Sequence, residues 1–435
     1  MANINMKQKS PDIEEVTYLP TKSAGLDLHN PFFVGSGPTV KTVDMIRQID
    51  QAGWGGAVIK LTIDPAPYIN REPRYKWWHK SKLHTFTAEK RIKLDEALRI
   101  CENGKKIAKV TKILSNITYD GEDGIAGWVR MAKAFEDAGA DGNELNMCCP
   151  NMSFNLEVSG EKIEKCTGAS MGQRPDLVSE IVRAIKEETS IPLFVKLTPE
   201  GGKIAQVAYA AFQAGADAVS SVGNRLGMPP LPDIEHPEIS GQRLQADPSV
   251  ACLSGQWLKP LALRDVYEIR KLNGPLVAIC GYGGMSHWQD YVEMAMLGSD
   301  IVGVVTETMI RGYDFLWREV ERLKKYMERH NYASFKAMRD ILVPKFKTAQ
   351  TLELVEAVAY VEEEKCIGCD RCEPIGHCYA IEMVPGDGDK EKNQTGRVAR
   401  VDPYSCTGCS TCFDICPTDC FVWKPVPEDR VVTPV

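Results

Sequence analysis

The sequence predicts an α/β protein, a (β/α)8 TIM barrel followed by a small cysteine-rich α+β domain. Two observations carry this reading. Eight short apolar runs alternate with amphipathic segments between residues 31 and 308, as expected for strands buried on both faces and joined by helical crossovers. Nine of the 15 cysteines fall between Cys366 and Cys420, so the chain is compositionally two proteins.

Residues 1–20 read as an N-terminal arm. They show no basic region followed by an apolar stretch, so no secretory signal is expected. No run of eighteen apolar residues occurs in the chain, so no membrane span is expected. The expected location is the cytoplasm, where disulfides are rare. Fifteen cysteines there argue for metal clusters or redox chemistry rather than cross-links. The net charge of −7 is concentrated in the tail, with fourteen Asp/Glu against eight Lys/Arg from Val361 onward. A near-neutral body with an acidic tail does not fit a nucleic-acid binder.

Residues 21–330 form the predicted barrel. Its strands are expected at 31–37, 55–63, 109–118, 142–148, 193–198, 218–222, 276–284 and 301–308. Helices between them are expected at 128–139, 175–189, 204–216 and 266–272, where apolar residues recur every three and four positions. The competing architecture is a doubly wound open sheet. A nucleotide-binding sheet of that kind usually carries GxGxxG after a strand, and the comparable glycines here, Gly281-Tyr282-Gly283-Gly284, follow the seventh run. Between the second and third strands lies the basic, aromatic stretch REPRYKWWHKSKLH (71–84), either a solvated surface loop or a lid or anion-binding element over the barrel mouth. Residues 331–360 read as a helical linker, and residues 361–435 as the second domain.

That domain carries Cys366, Cys369 and Cys372 with Cys378 beyond them, then Cys406, Cys409, Cys412 and Cys416 followed by Pro417. The second run is C-x2-C-x2-C-x3-C-P, and two such runs mark a ferredoxin-like module with two [4Fe-4S] clusters. Three thiolates on one tight loop cap three irons, and the fourth iron is reached from the other run. One cluster therefore takes Cys366, Cys369, Cys372 and Cys416, and the other Cys406, Cys409, Cys412 and Cys378. The first run is irregular, with five residues before Cys378 and no proline after it. Cys420 is a ninth cysteine with no assigned role. Zinc ribbons need paired CxxC motifs rather than triplets.

Clusters need an electron partner in the body. Active sites of such barrels lie at the carboxyl ends of the strands, with phosphate often bound after the seventh and eighth. Those ends here are Gly281–Gly284 and Thr306-Glu307-Thr308. Lys60 ends the second strand and Lys196 the fifth, positions suited to an electron-rich ring. A flavin fits, because it exchanges one electron with a cluster and a hydride with a substrate.

Several of these segments resemble a known family. AGLDLHNPFFVGSG (24–37), QAGWGGAVIK (51–60), GADGNELNMCCPN (139–151), PLFVKLTP (192–199), LSGQWLKPLALR (253–264) and the glycine turn after the seventh strand are similar to the FMN-binding barrel of the dihydroorotate and dihydropyrimidine dehydrogenases. With the two-cluster tail, the whole resembles the catalytic subunits of bacterial NAD-dependent dihydropyrimidine dehydrogenases over roughly residues 20–425. The resemblance implies FMN held by Gly35, Ser36, Lys60, Asn116, Asn146, Lys196, Ser254, Gly255, Gly283, Gly284, Thr306 and Glu307. It implies that Cys149 is the general acid/base, giving or taking a proton at a C=C bond conjugated to a carbonyl. Cys148 stands where the family has serine and reads as structural.

The substrate half departs from the family. Pyrimidine-reducing relatives carry Asn-Thr after the sixth strand, where this chain has Val222-Gly223-Asn224, and an asparagine where it has His84. Asn146, Asn151, His84 and Asn224 are the expected substrate residues. The loop after Cys149 is long and contains Cys166. Three functions stay open at this point: a dihydropyrimidine dehydrogenase-like enzyme; the same machinery acting on an anionic or acyl-thioester compound with a ferredoxin donor; and an electron-transfer subunit. No NAD(P)H fingerprint occurs in the chain, so the expected partner is an FAD- and NAD(P)H-binding subunit or a ferredoxin, in a homodimer or hetero-oligomer.

Overall fold

The computed structural model describes residues 12–65, 70–87, 90–149, 168–221 and 223–430. The chain divides into two compact units, residues 1–346 and 347–435.

The first unit is a closed eight-stranded parallel barrel. Its staves are β1 (Phe32–Val34), β2 (Gly56–Val58), β3 (Lys112–Tyr119), β4 (Gly142–Met147), β5 (Leu193–Leu197), β6 (Ala218–Ser220), β7 (Ala278–Tyr282) and β8 (Ile301–Val304). Each pairs in parallel with the next, and β8 pairs with β1 to close the ring. All eight coincide with the predicted apolar runs. Side chains alternate across each stave. Phe33, Leu114, Phe194, Cys280, Tyr282 and Ile301 share one buried cluster, whereas Phe32, Val34, Ile113 and Ile279 pack in another with the surrounding helices. Helices Ile125–Asp137, Pro175–Glu188, Ile204–Gln213 and Lys259–Asn273 occupy the predicted amphipathic segments.

The second stave is interrupted. After β2 the chain leaves the ladder at Ile59–Leu61 and resumes at Thr62–Asp64 beside the end of β3. Lys60 sits at the break, its backbone N–H donating to Val40 O (2.8 Å).

The basic stretch 71–84 is neither a loop nor isolated. Tyr75–Trp78 and Leu83–Phe86 form a hairpin, and Ala251–Ser254 and Arg225–Gly227 extend it into a four-stranded antiparallel sheet. These strands come from the connections after β2 and after β6, both at the carboxyl end of the barrel. Alternation is too short and too polar there to announce strands in the sequence.

The helical linker expected at 331–360 is not formed. The last barrel helix, Leu316–Arg329, ends before Asn331, whose φ is 57°. Two short 3₁₀ turns follow, Phe335–Met338 and Val343–Lys345. Pro344 lacks the N–H that a helix would need. Phe335 and Met338 are buried against the barrel, the Phe335 ring edge-on to Phe32. Burial of two large apolar side chains, about 1.5–3 kcal/mol each, outweighs a helical period in this segment. Residues 346–357 are exposed and irregular, except for a turn near Gln350, up to the half-buried Ala357.

The second unit pairs Val358–Val361 with Phe421–Lys424 and Ile381–Pro385 with Arg397–Val401, all antiparallel, and its described residues include a 3₁₀ turn, Glu363–Lys365, and a short α-helix, Thr411–Ile415. Among the described residues no helix is long and apolar enough to cross a membrane.

Candidate active site

A layer of buried polar side chains crosses the barrel near the carboxyl ends of its strands, and strand register produces it. Asn116 of β3 lies beside Glu144 of β4, Asn146 of β4 beside Lys196 of β5, and Lys196 beside Ser220 of β6. Asn116 Nδ2 donates to Glu144 Oε2 (2.5 Å), Ser220 Oγ to Glu144 Oε1 (2.7 Å) and Asn146 Nδ2 to Asn116 Oδ1 (2.8 Å). Lys196 Nζ is 3.6 Å from Glu144 Oε2 and 4.6 Å from the centre of the Tyr282 ring. Buried charges cost several kcal/mol each unless paired and hydrogen-bonded, and Glu144 supplies that partner here. Sequence reading missed Glu144. It stands two residues before Asn146 on the same strand, so period-two alternation alone puts both on the inward face.

Above this layer opens a cleft of about 1000 Å³. Of the predicted cofactor residues, Ser36, Lys60, Asn146, Lys196, Ser254, Gly255, Gly283, Gly284, Thr306 and Glu307 line it. Gly35 and Asn116 lie behind the lining: a Cβ at Gly35 would sit 2.3 Å from the Tyr282 ring, and Asn116 is fully buried in the polar layer. Cys149, His84 and Asn224 face the same cleft, as do Cys148, Tyr75 and Phe86. Asn151 and Cys166 lie outside the described residues.

Each wall has a structural reason. Gly283, at φ 122°, backs onto Gly223, where a Cβ would come within 2.9 Å of the Gly223 Cα; backbone meets backbone, leaving room above. Cys149 follows β4 and is buried with Leu61 and Ile63 beside the break in the second stave. The backbone N–H and the thiol of Cys148 both approach Asn146 Oδ1, at 3.4 and 3.3 Å, fixing the orientation of that amide. The antiparallel sheet brings His84 opposite Ser254. His84 Nδ1 lies 3.2 Å from Ser254 Oγ, and its ring stacks on Tyr75 at 5.4 Å. Burial lowers the His84 pKa to about 4, so the ring is neutral near pH 7. In that state it offers hydrogen bonds rather than charge.

In the second unit the eight predicted thiols ring two small cavities of about 300 Å³ each. Cys366, Cys369, Cys372 and Cys416 line one, together with Cys420. Cys378, Cys406, Cys409 and Cys412 line the other. The crossed grouping is the one expected from the motif. Among the described residues no three Cys, His, Asp or Glu side chains converge as ligands of a single ion would; the corners of a cubane keep its thiolates apart.

Comparison with known proteins follows this division. The family profile "Dihydroorotate dehydrogenase" matches residues 18–327. The chain belongs to the dihydroorotate dehydrogenase family. To this family barrel a "4Fe-4S dicluster domain" is joined, matching residues 365–420. The chain is 27% identical over 410 residues to the NAD-dependent dihydropyrimidine dehydrogenase subunit PreA of Escherichia coli (strain K12), covering 91% of this chain and 93% of that protein. It is 28% identical over 317 residues to the dihydroorotate dehydrogenase B (NAD(+)) catalytic subunit of Pyrococcus abyssi, covering 72% and 95%. It is 24% identical over 369 residues to the chloroplastic dihydropyrimidine dehydrogenase (NADP(+)) of Arabidopsis thaliana, covering 78% and 81%.

This dihydroorotate dehydrogenase family protein is thus an oxidoreductase acting on CH–CH groups, with FMN as the cofactor of its barrel and two [4Fe-4S] clusters as those of its tail. Its own residues fit both groups. The cleft offers two lysines, amide and hydroxyl donors and a glycine turn for an electron-rich ring with a phosphate. The tail offers two cavities, one with four thiols and one with five. The dehydrogenase relatives favour carbon chemistry over a purely electron-transferring subunit.

Proposed function

We propose that the protein reduces, or in reverse oxidises, the C=C bond conjugated to a carbonyl in a pyrimidine ring, with Cys149 as the general acid/base. The observation that carries this is the meeting of Cys149 with Lys60, Asn146, Lys196, Ser254 and Gly283 around one cleft. FMN, when bound, supplies hydride exchange with the substrate and one-electron exchange with the clusters. The rest falls to the chain. Lys60, Lys196, Asn146 and Ser254 bind and orient the flavin ring, Lys196 being held in place by Glu144 and Asn146 by Asn116 from behind. Ser36, Gly255, Gly283, Gly284, Thr306 and Glu307 form the remaining cofactor contacts, with Gly35 packed against Tyr282 behind them. Asn146, Asn224 and His84 orient the pyrimidine, and Asn151 joins them from the segment after Cys149. Cys149 then gives its thiol proton to the carbon next to the carbonyl and regains one before the next cycle. Burial beside Leu61 and Ile63 keeps bulk water from competing as the proton source.

In the tail, Cys366, Cys369, Cys372 and Cys416 hold one cluster and Cys406, Cys409, Cys412 and Cys378 the other. Electrons reach them from an FAD- and NAD(P)H-binding partner subunit; the Escherichia coli relative is itself named a subunit. An acidic tail suits a basic face on that partner. Free thiols in this number suit the cytoplasm.

The test uses anaerobic, photoreduced protein mixed with uracil. Wild-type flavin should be reoxidised. In Cys149→Ala, reoxidation should slow by about 10²–10⁴-fold, the usual worth of general acid catalysis, while photoreduction and FMN content stay unchanged. An equal reoxidation rate in the variant would remove Cys149 from the mechanism. No reoxidation of wild type by uracil would remove the pyrimidine.

A further inference from the structure

The two cluster cavities use eight of the nine cysteines in the tail and leave Cys420, which is 3% exposed. It lines the cavity of Cys366, Cys369, Cys372 and Cys416. Its Sγ is 3.4 Å from Cys416 Sγ, and its backbone N–H is directed at the same sulfur, also at 3.4 Å. A metal-bound Cys416 thiolate has no proton to give, so in the loaded protein the shared proton belongs to Cys420 and Cys416 is the acceptor. The neighbouring hydroxyl does not take this place: Thr418 Oγ1 donates to Lys365 O at 2.8 Å, and stands 3.7 Å from Cys416 Sγ.

The two cavities are otherwise related. Ala399 N–H donates to Cys366 Sγ (3.5 Å) as Ala359 N–H does to Cys406 Sγ (3.4 Å). Thr411 Oγ1 lies 3.5 Å from Cys409 Sγ, whereas Arg371 stands at the equivalent place after Cys369. A second difference falls at the crossing ligands. Cys416 receives two donors from Cys420, whereas Cys378 receives none among the described residues. The irregular spacing before Cys378 and the missing proline after it are the sequence side of this asymmetry.

We propose that Cys420 is a positioning residue for electron transfer: its thiol donates a hydrogen bond to Cys416 and raises the reduction potential of the cluster that Cys366, Cys369, Cys372 and Cys416 hold. A reduced cluster carries one more negative charge, and donors to its sulfurs stabilise that charge. The inference rests on the ligand sets proposed above but not on the substrate.

The experiment is an EPR-monitored redox titration of the anaerobically purified holoprotein, with iron analysis, on wild type, Cys420→Ala and Cys420→Ser. In Cys420→Ala one of the two couples should become harder to reduce, by about tenfold in the reduction equilibrium, equivalent to 59 mV for one electron. The other couple should stay in place. Cys420→Ser, which keeps a donor, should restore part of the shift at the same couple. Unchanged potentials in Cys420→Ala at full iron content would overturn the proposal, as would a parallel shift of both couples. Loss of one cluster's iron from both variants would also overturn it, making Cys420 a ligand or a packing residue. Wild type lacking iron for two clusters would instead strike at the ligand sets.

Discussion

His84 is enclosed by Tyr75, Trp77 and Ser254, and that enclosure has a thermodynamic consequence. Its pKa is lowered from 6.5 to about 4 by burial. Between those values the unfolded chain binds a proton that the folded barrel refuses, so stability rises with pH across the window and falls on acidification. At pH 5 the group alone destabilises the fold by about 2 kcal/mol relative to pH 7. His84→Gln has no such proton to take up. Urea unfolding of the barrel at pH 7 and pH 5 should therefore show a stability loss in wild type about 2 kcal/mol larger than in the variant. Equal losses would mean that His84 is hydrated in solution. In the sequence His84 stood out only as a departure from a resemblance. Its neutrality comes from aromatic neighbours that adjacent strands bring together, and no spacing along the chain announces that.

Among the elements, the antiparallel sheet over the cleft is the part whose integrity bears directly on substrate. Thr85, fully buried, is its internal tie. Its Oγ1 accepts from Trp78 Nε1 (3.1 Å) on the hairpin and from Gln242 Nε2 (2.9 Å) on the connection after β6. Thr85→Val keeps the shape and removes the acceptor, leaving two donors unpaired at a cost of about 1–3 kcal/mol. Because His84 adjoins this tie, the sheet should loosen over the substrate, while the flavin contacts of the barrel strands stay in place. Steady-state kinetics should give a KM raised several-fold, with kcat within about twofold and FMN content unchanged. A loss confined to kcat would place the sheet in the chemical step instead. The sheet and the barrel also mark what could be read in advance. β1, β7 and β8 were legible because strands buried on both faces are apolar along most of their length. Tyr75–Trp78 and Leu83–Phe86 were not, since the sheet that steadies their hairpin is completed by Ala251–Ser254, which pairs with Leu83–Phe86 from 170 residues away at His84 and Ser254. The expected linker helix failed for the opposite reason: a local helical period gave way to the burial of Phe335 and Met338.

At the scale of the whole molecule, two units with separate cores are joined by an exposed, largely irregular stretch, residues 347–357. Such stretches are where proteases enter first, because the chain must be extracted from its fold before it can be cut. Lys347 lies there with no regular structure around it. Limited trypsin digestion of the native protein should therefore cut near Lys347 and release a barrel fragment and an iron–sulfur fragment. The described residues that line the cleft run from Ser36 to Met309, within the first unit, so the barrel fragment should retain FMN. Once photoreduced, it should still be reoxidised by substrate at a rate close to that of the intact chain. It should no longer accept electrons from NAD(P)H through the proposed partner subunit, because the eight thiols proposed as cluster ligands leave with the other fragment. The acidic tail adds a second signature. In the intact chain, raising salt should slow partner-dependent reduction by screening the attraction between exposed charges, and leave reoxidation by a small neutral substrate unaffected. Barrel fragment that is still reduced by the partner would place electron entry at the flavin cleft and leave the clusters off the route.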